Sequence, residues 1–533
     1  MTVSSPLMPL HLSPSHRCFA KVTFVTTMAL TLLTYRLQAQ SDYTTFVPAA
    51  DTQPALWRYT TSQPATGWET PGFDDTVWKA GESGFGSVGI PGGVIGTAWT
   101  TADIWLRREF ELRALSSGEV QLWLHHDEDA EVYINGVLAL QTNRWSTDYD
   151  SYPLTAAGRA ALKVGENKFA VHCHQTSGGQ YIDAGLVLVT PAKPGVNRWT
   201  PAHAWNWFTN QALPIGFNYV PANSISYTEM WMGYAFDPKL ITRELALAQE
   251  TGFNSLRVVL SFVVWEAEPE AFKQRFETFL TICEKHGIKV MPCFFDDCVF
   301  GPISDPEFGK QPEVVAGWYA NGWTPSPGHQ RVRDLNVRPA LEHYVKDIIA
   351  AHCNDARILC WDLYNEAGNS GMVNASLPLL KDAFCWAREI NPVQPVTSGI
   401  FGGGSPRITT FLRDNSDIIS FHNYQPAVEL RQEIADLKQL GRPLICSEWL
   451  NRPHHSEVAT CLPAFVQEHV GAFNWGLVNG KTQTDLSWGH KPGDPAPKIW
   501  QHDLFHSDHT PYNQHELELF RQFIRQAAQS RSQ

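Results

Sequence analysis

Ile358-Leu-Cys-Trp-Asp-Leu-Tyr-Asn-Glu366 is an almost unbroken apolar run that ends in an amide and an acid. Shortly after it, Leu377-Pro-Leu-Leu-Lys-Asp-Ala-Phe-Cys-Trp-Ala-Arg-Glu-Ile390 reads as an amphipathic helix. A strand that is apolar on both faces belongs in a parallel sheet covered on both sides, and the helix supplies the crossover to the next strand. The same unit recurs on either side. Strand-like runs are Ile215–Val220, Ser255–Leu260, Lys289–Phe295, Ile358–Tyr364, Val396–Ile400, Ile418–Phe421, Leu444–Ser447 and Ala472–Leu477. Helical stretches between them include Pro238–Thr251, Glu270–His286 and Ala427–Gln439, and Glu516–Ala528 follows the last strand. Eight strand–helix units predict an α/β fold of the (β/α)8 TIM barrel kind over residues 193–533. A doubly wound open sheet is the alternative. It asks for a glycine-rich turn after its first strand, and Gly216-Phe-Asn-Tyr-Val-Pro is not one.

Upstream the pattern changes. From about Asp42 to Thr190 short alternating strands are broken by Gly, Asn and Pro, as in Val120–Leu124 and Glu131–Ile134 followed by Asn135-Gly136. Asn-Gly between alternating runs is a hairpin signal. Residues 41–192 therefore read as an all-β jelly-roll sandwich. Pro191–Arg198 reads as a linker to the barrel. Residues 1–40 hold no acid; they carry Arg17 and Lys21, then an apolar run from Val22 to Tyr35. That is the make-up of a signal peptide, with an uncut anchor as the alternative, and the apolar run is short of the about 20 residues a membrane span needs. The expectation is a secreted or periplasmic protein with no membrane insertion after signal removal.

The chain has 533 residues, 43% hydrophobic and 18% charged, a globular composition. Its net charge of −13 gives it no electrostatic reason to seek nucleic acid or anionic lipid. Ten cysteines stand mostly singly in apolar segments, which reads as buried thiols and not as a disulfide framework. Twenty tryptophans are the unusual feature, since an indole suits both core packing and stacking on a ligand.

In a barrel the C-terminal ends of the strands face the site. That rule selects Asn218 on strand 1, Arg257 on strand 2, Asp296 and Asp297 on strand 3, and Asn365 and Glu366 on strand 4. It continues with His422 and Tyr424 on strand 6, Glu448 and Trp449 on strand 7, and Trp475 on strand 8. Two glutamates stand across the ring from each other. Breaking a glycosidic bond needs one carboxyl to protonate the leaving oxygen and a second, ionised, to work at the anomeric carbon.

Asn365-Glu366 closing strand 4, Glu448 closing strand 7, Arg257, His422 with Tyr424, and Trp475 together resemble glycoside hydrolase clan A, nearest its family 5 and family-5-like cellulases and xylanases. The resemblance covers about Trp199 to Ala528. It implies a retaining β-glycoside hydrolase acting on an oligo- or polysaccharide, without a cofactor. Glu366 matches the clan's acid/base, Glu448 its nucleophile, and Asn365 the amide that holds the sugar 2-hydroxyl. Arg257 matches the cation set against the nucleophile. Tyr424 or His422 would hydrogen-bond the nucleophile, and Trp475 would floor the sugar site. Asp296 and Asp297 depart from the clan, where a histidine is common. They would meet sugar hydroxyls or form a structural pair. Lys481, in Asn479-Gly-Lys-Thr-Gln483, is a candidate ligand. Trp265, Trp318, Trp323, Trp449 and Trp488 are candidate stacking surfaces or core. Gly67-Trp-Glu-Thr-Pro-Gly-Phe-Asp-Asp75 resembles the galactose-binding-like sandwich found before many glycosidase barrels. That module would bind carbohydrate or buttress the barrel. His172-Cys-His174 and His502, His506 and His509 lack metal-ligand spacing, so no metal is expected. The alternatives are a glycan-binding barrel that does not cut, and a transglycosylase using the same glycosyl-enzyme.

Overall fold

The computed structural model describes residues 43–530 apart from 91, 113–118, 144, 147–148 and 190–196. The signal peptide expected over 1–40 and most of the expected linker lie outside the described residues.

The N-terminal strands are β1 (Tyr43–Val47), β2 (Leu56–Thr60), β3 (Lys79–Glu82), β4 (Phe85–Gly86), β5 (Thr97–Ala98) and β6 (Asp103–Leu112). They continue as β7 (Glu119–Asp127), β8 (Asp129–Ile134), β9 (Val137–Thr142), β10 (Asp150–Pro153), β11 (Gly165–His174) and β12 (Tyr181–Val189). One sheet runs β10-β7-β12-β4-β5 with β1 on β12; the other runs β3-β2-β6-β11-β8-β9. Alternate residues of both, such as Leu122, Leu124 and Leu186 against Leu106, Val132 and Phe169, point inward and fill one core. The β8–β9 hairpin turns at Asn135 and Gly136, whose φ values of 50° and 83° are those of a type I′ turn. The all-β expectation misses one short helix, Ala156–Ala161, which Thr155 caps by accepting from the Gly158 N–H. Gly67–Asp75 is tied down by Arg107, which pairs with Asp75 at 2.7 Å and also reaches the carbonyls of Trp68 and Thr70.

The barrel strands are β13 (Ile215–Asn218), β14 (Ser255–Val259), β15 (Lys289–Asp296), β16 (Trp361–Asn365), β17 (Val396–Thr397), β18 (Ile419–His422), β19 (Leu444–Trp449) and β20 (Gly471–Trp475). They form one sheet in the order β17-β16-β15-β14-β13-β20-β19-β18. A parallel bridge between Ile400 and Phe421 joins its two ends into a closed ring. The strands are buried almost throughout, as a doubly covered parallel sheet requires. Helices follow the expected signals. Pro238–Thr251 starts behind Asp237, which accepts from the Lys239 and Leu240 N–H groups, and stops at Gly252 with φ 98°. Leu377–Ile390 stops at Asn391 in the left-handed region.

The sandwich meets the barrel beside helix Pro406–Asn415, next to β10, with the Arg407 guanidinium 5.3 Å from the Trp123 ring. Among the described residues no helix is long and apolar enough to cross a membrane.

Candidate active site

Strand register sets the height of the site. Asn218 pairs with both Arg257 and Trp475, Asp296 with Asn365, and His422 with Glu448. These residues therefore leave their strands at one level, the C-terminal mouth of the barrel. On β19 the register slips between Phe421–Cys446 and His422–Glu448, so one extra residue is inserted before Glu448. A bulge of this kind re-aims the side chain that follows it. Glu448 turns inward.

Arg257 is the hub. Wholly buried, it pairs with Asp362 at 2.7 Å and donates to Glu448 Oε1 at 2.7 Å, Asn365 Oδ1 at 2.7 Å and Asn218 Oδ1 at 3.0 Å. Burial alone would lower its pKa, but the charges of Asp362 and Glu448 hold it well above the ordinary arginine value. Tyr424 donates to the other oxygen of Glu448 at 2.7 Å. Burial first, then the Glu448 charge, pushes the Tyr424 phenol far above its usual range, so it stays a donor. His422 shares its Nδ1 unequally: 2.8 Å to Glu366 Oε1 and 3.5 Å to Glu448 Oε2. Its Nε2 faces Gly399, where any Cβ would sit 2.6 Å away, so only glycine leaves room for the ring.

Glu366 follows β16 with φ 43°, a backbone conformation uncommon outside glycine and frequent at functional sites. The chain turns back at once, Asn369 N–H to Glu366 O at 2.9 Å, which brings the Asn369 amide onto Glu366 Oε2. The Cys298 thiol donates to the same oxygen at 3.2 Å. Burial pushes the Glu366 carboxyl up, but His422, Cys298 and Asn369 together outweigh it and leave it below its ordinary value. His422 is raised despite its burial, by Glu448 and Glu366. The two groups, 2.8 Å apart, thus each favour the charged form of the other.

One oxygen of Glu366, one of Glu448 and a ring nitrogen of His422 all lie within 4.8 Å of one another. Such a trio could ligate a cation. Here the Arg257 guanidinium already pairs with Glu448 at 2.7 Å, and its charge repels a cation. A second trio, Glu277, His352 and Asp355, is already served by Arg357, which pairs with both carboxylates at 2.7 Å.

Several expected ligands are placed elsewhere. Trp449 is fully buried against Phe465 and Phe520 on the outer side of the barrel. Neighbours on a strand point to opposite faces, so an inward Glu448 forces Trp449 outward. Asp296 and Asp297 are 0% exposed. Asp296 accepts from Asn365 Nδ2 at 2.8 Å, Cys298 N–H at 2.9 Å and Trp323 Nε1 at 2.8 Å. Asp297 accepts from Tyr364 and the Gly368 N–H at 2.7 Å each, and from Ser376. Asn218 is committed to Arg257 and to the Ser447 carbonyl. Lys481 is on the rim, 3.5 Å from Glu229. Trp265 and Trp323 are core, Lys491 lies 3.7 Å from the Trp318 ring centre, and Trp488 is 41% exposed. Trp475 is half-buried at the mouth, against Trp323 and His502.

Three contributors escape a reading of strand ends: Cys298, Asn369 and Asp362. The last had a signal. A lone carboxylate inside the apolar run of β16 needs a buried cation, and Arg257 is that cation.

Fold and site together define a (β/α)8 barrel with a paired-carboxylate centre at the C-terminal ends of its strands. No family model matches the sequence, and no curated protein matches it. Solved structures do resemble it. The exo-β-1,4-mannosidase Op5Man5 from Opitutaceae bacterium strain TAV5 is 18% identical with a TM-score of 0.43 over 60% of this chain. The likeness spans 60% of that mannosidase's own length. GH5_18 from Streptomyces cattleya, in complex with GlcNAc, is 14% identical with a TM-score of 0.43, over 60% of this chain and 81% of that one. A β-glucuronidase from Bacteroides uniformis is 12% identical with a TM-score of 0.40, over 89% and 69%.

Proposed function

We propose that the chain is a retaining β-glycosidase acting on an oligo- or polysaccharide. The observation that carries the reading is the pair Glu366 and Glu448, with one oxygen of each within 4.8 Å of the other and with unlike partners. Retention needs carboxyls about 5–5.5 Å apart, whereas inversion needs about 6.5–9.5 Å to admit a water. Glu448 faces a guanidinium and a phenol and carries the charge needed to attack the anomeric carbon. Glu366 faces His422 and is the member that protonates the departing oxygen. Water then enters from the vacated side, Glu366 takes its proton, and the glycosyl–Glu448 ester is released with the original anomeric configuration. Arg257 and Tyr424 hold Glu448 in line, and Asn365 is fixed between Arg257, Asp296 and the Cys298 sulfur beside them. An uncharged sugar suits the acidic protein. Export, read from residues 1–40, belongs to the same proposal, and N-terminal sequencing of the mature protein tests it.

Aryl β-glycosides and a glycan panel give the test. Glu366→Gln and Glu448→Gln should each abolish turnover, and proton NMR of the first product should show the β-anomer. Near-native turnover by either variant, or a first-formed α-anomer, would sink the reading.

A further inference from the structure

The loops that frame the mouth differ sharply from one side to the other. After β16, β17, β18 and β19 the chain reaches its next helix through the short stretches 366–376, 398–405, 423–426 and 450–457. After β15 and β20 it makes the long excursions 297–328 and 476–513. These two long loops are tied to each other. Ala320 N–H donates to the Thr482 carbonyl at 3.0 Å, and Tyr319 N–H to the His490 carbonyl at 3.2 Å. The Gln483 side chain accepts from Gly317 N–H at 2.9 Å and donates to the carbonyls of Val315 and Trp318 at 2.9 and 3.1 Å. His490 Nδ1 bonds the Gly317 carbonyl at 2.7 Å, and Trp488 Nε1 donates to the Tyr319 hydroxyl at 3.2 Å.

The loop after β13 joins them. Lys481 N–H donates to the Ala222 carbonyl at 3.0 Å, and the Tyr227 hydroxyl to the Thr324 carbonyl. Gly480 approaches Ala222 so closely that a Cβ would lie 2.3 Å from its Cα. β15, β14, β13 and β20 are consecutive in the ring. A hydrogen-bonded wall therefore joins the segments that follow β15, β13 and β20.

The wall has a direction relative to the chemistry. The departing group leaves beside Glu366, which follows β16. In this eight-membered ring β20 is diametrically opposite β16. A sugar held with its leaving oxygen at Glu366 would turn its far end away from β16, toward β20 and the wall. The side toward β16–β18 carries only short loops. Little of the centre is open: the side chain of Glu448 is 8% exposed and that of Glu366 14%.

We propose that the wall formed by 297–328 and 476–513, pinned by Gln483, closes the glycone side, so that the enzyme acts at chain ends and removes one sugar at a time from the non-reducing terminus. The inference rests on the glycosidase reading. Internal cleavage would need a channel open on both sides of the scissile bond, and the wall blocks one of them.

The test compares 4-nitrophenyl β-monosaccharides with the corresponding β-disaccharides across gluco, manno and galacto series, resolving products by chromatography at early times. The expected result is direct release of nitrophenol from a monosaccharide glycoside. The matching disaccharide glycoside should first lose its terminal sugar. An intact disaccharide as the first product overturns chain-end action and leaves the glycosidase reading standing, whereas no cleavage of any member overturns both. Gln483 has φ 53°, so Gln483→Asn keeps a residue suited to that backbone while withdrawing the three bonds. It should raise direct release from the disaccharide glycoside, relative to the monosaccharide, by about tenfold. An unchanged ratio in a folded variant removes the wall as the determinant.

Discussion

Four carboxylates crowd the mouth of the barrel as two pairs, and the protein treats the pairs in opposite ways. Asp296 and Asp297 are sealed. Each accepts three hydrogen bonds from protein donors, and burial pushes both carboxyls up to about 6 in spite of them. Glu366 and Glu448 are held by charged or titratable partners, and each keeps a sliver of surface toward the mouth. A carboxylate whose lone pairs are all used by fixed donors is a brace. One whose partners are an imidazole or a cation, and which still reaches solvent, is available for chemistry.

The hardest blow to this contrast is a swap of targets. Glu448→Gln should cost roughly 10⁴-fold or more in kcat, whereas Asp297→Asn should stay within about tenfold of wild type, because its oxygens are bound by Tyr364, Gly368 and Ser376. Comparable losses in the two variants, measured with one aryl glycoside, would erase the distinction. Next comes the hub. Arg257→Ala leaves Asp362 and Glu448 without their shared cation, and removing one partner of a buried pair typically costs about 3–5 kcal/mol. Urea unfolding reads this directly. A variant as stable as wild type would mean that the pair is not what holds strands β14, β16 and β19 together.

A third prediction concerns pH. The folded-state value of Asp297, about 6, is above its ordinary 3.8. Its contribution to stability is therefore fully present below pH 3.8 and is lost as pH rises through about 6, where ionisation inside the protein becomes costly. At about 1.4 kcal/mol per pKa unit this amounts to about 3 kcal/mol. Asp297→Asn should flatten the fall in stability between pH 4 and 7 relative to wild type, and the difference between their melting curves across that range measures it. The smallest effect is on His422. Glu366 and Glu448 both raise its pKa. Glu366→Gln withdraws one of them, so the imidazole should titrate at a lower pH than in wild type. NMR of the labelled ring reads the shift, and an unmoved or rising value would deny that Glu366 favours the charged ring.

Much of this was legible in one dimension. All eight barrel strands overlap the apolar runs that predict them, and helices Pro238–Thr251 and Leu377–Ile390 keep their expected bounds, because caps and periodicity are local. The strand-end rule gathers Glu366, Glu448, Arg257, Asn365, His422, Tyr424 and Trp475, all of which the structure brings together. It over-collects as well. Trp449 is adjacent to an inward residue and so points out, Asp296 is taken up by Asn365 of β16 and by Cys298 and Trp323 after β15, and Asp297 by β16 and its loop. Cys298 and Asn369 were missed because a thiol and a loop amide carry no signal until the turn after Glu366 sets them on one oxygen.

The sequence by itself determined the parallel closed barrel and the level at which its chemical groups emerge, since apolar runs, turn residues and chain order act over a few residues at a time. Only the tertiary structure decided which group at that level is free to react and which is bound. It also decided that one side of the mouth is walled. Both depend on a bulge before Glu448 and on hydrogen bonds such as Gln483 to Val315, between segments far apart in the chain, which no local periodicity encodes.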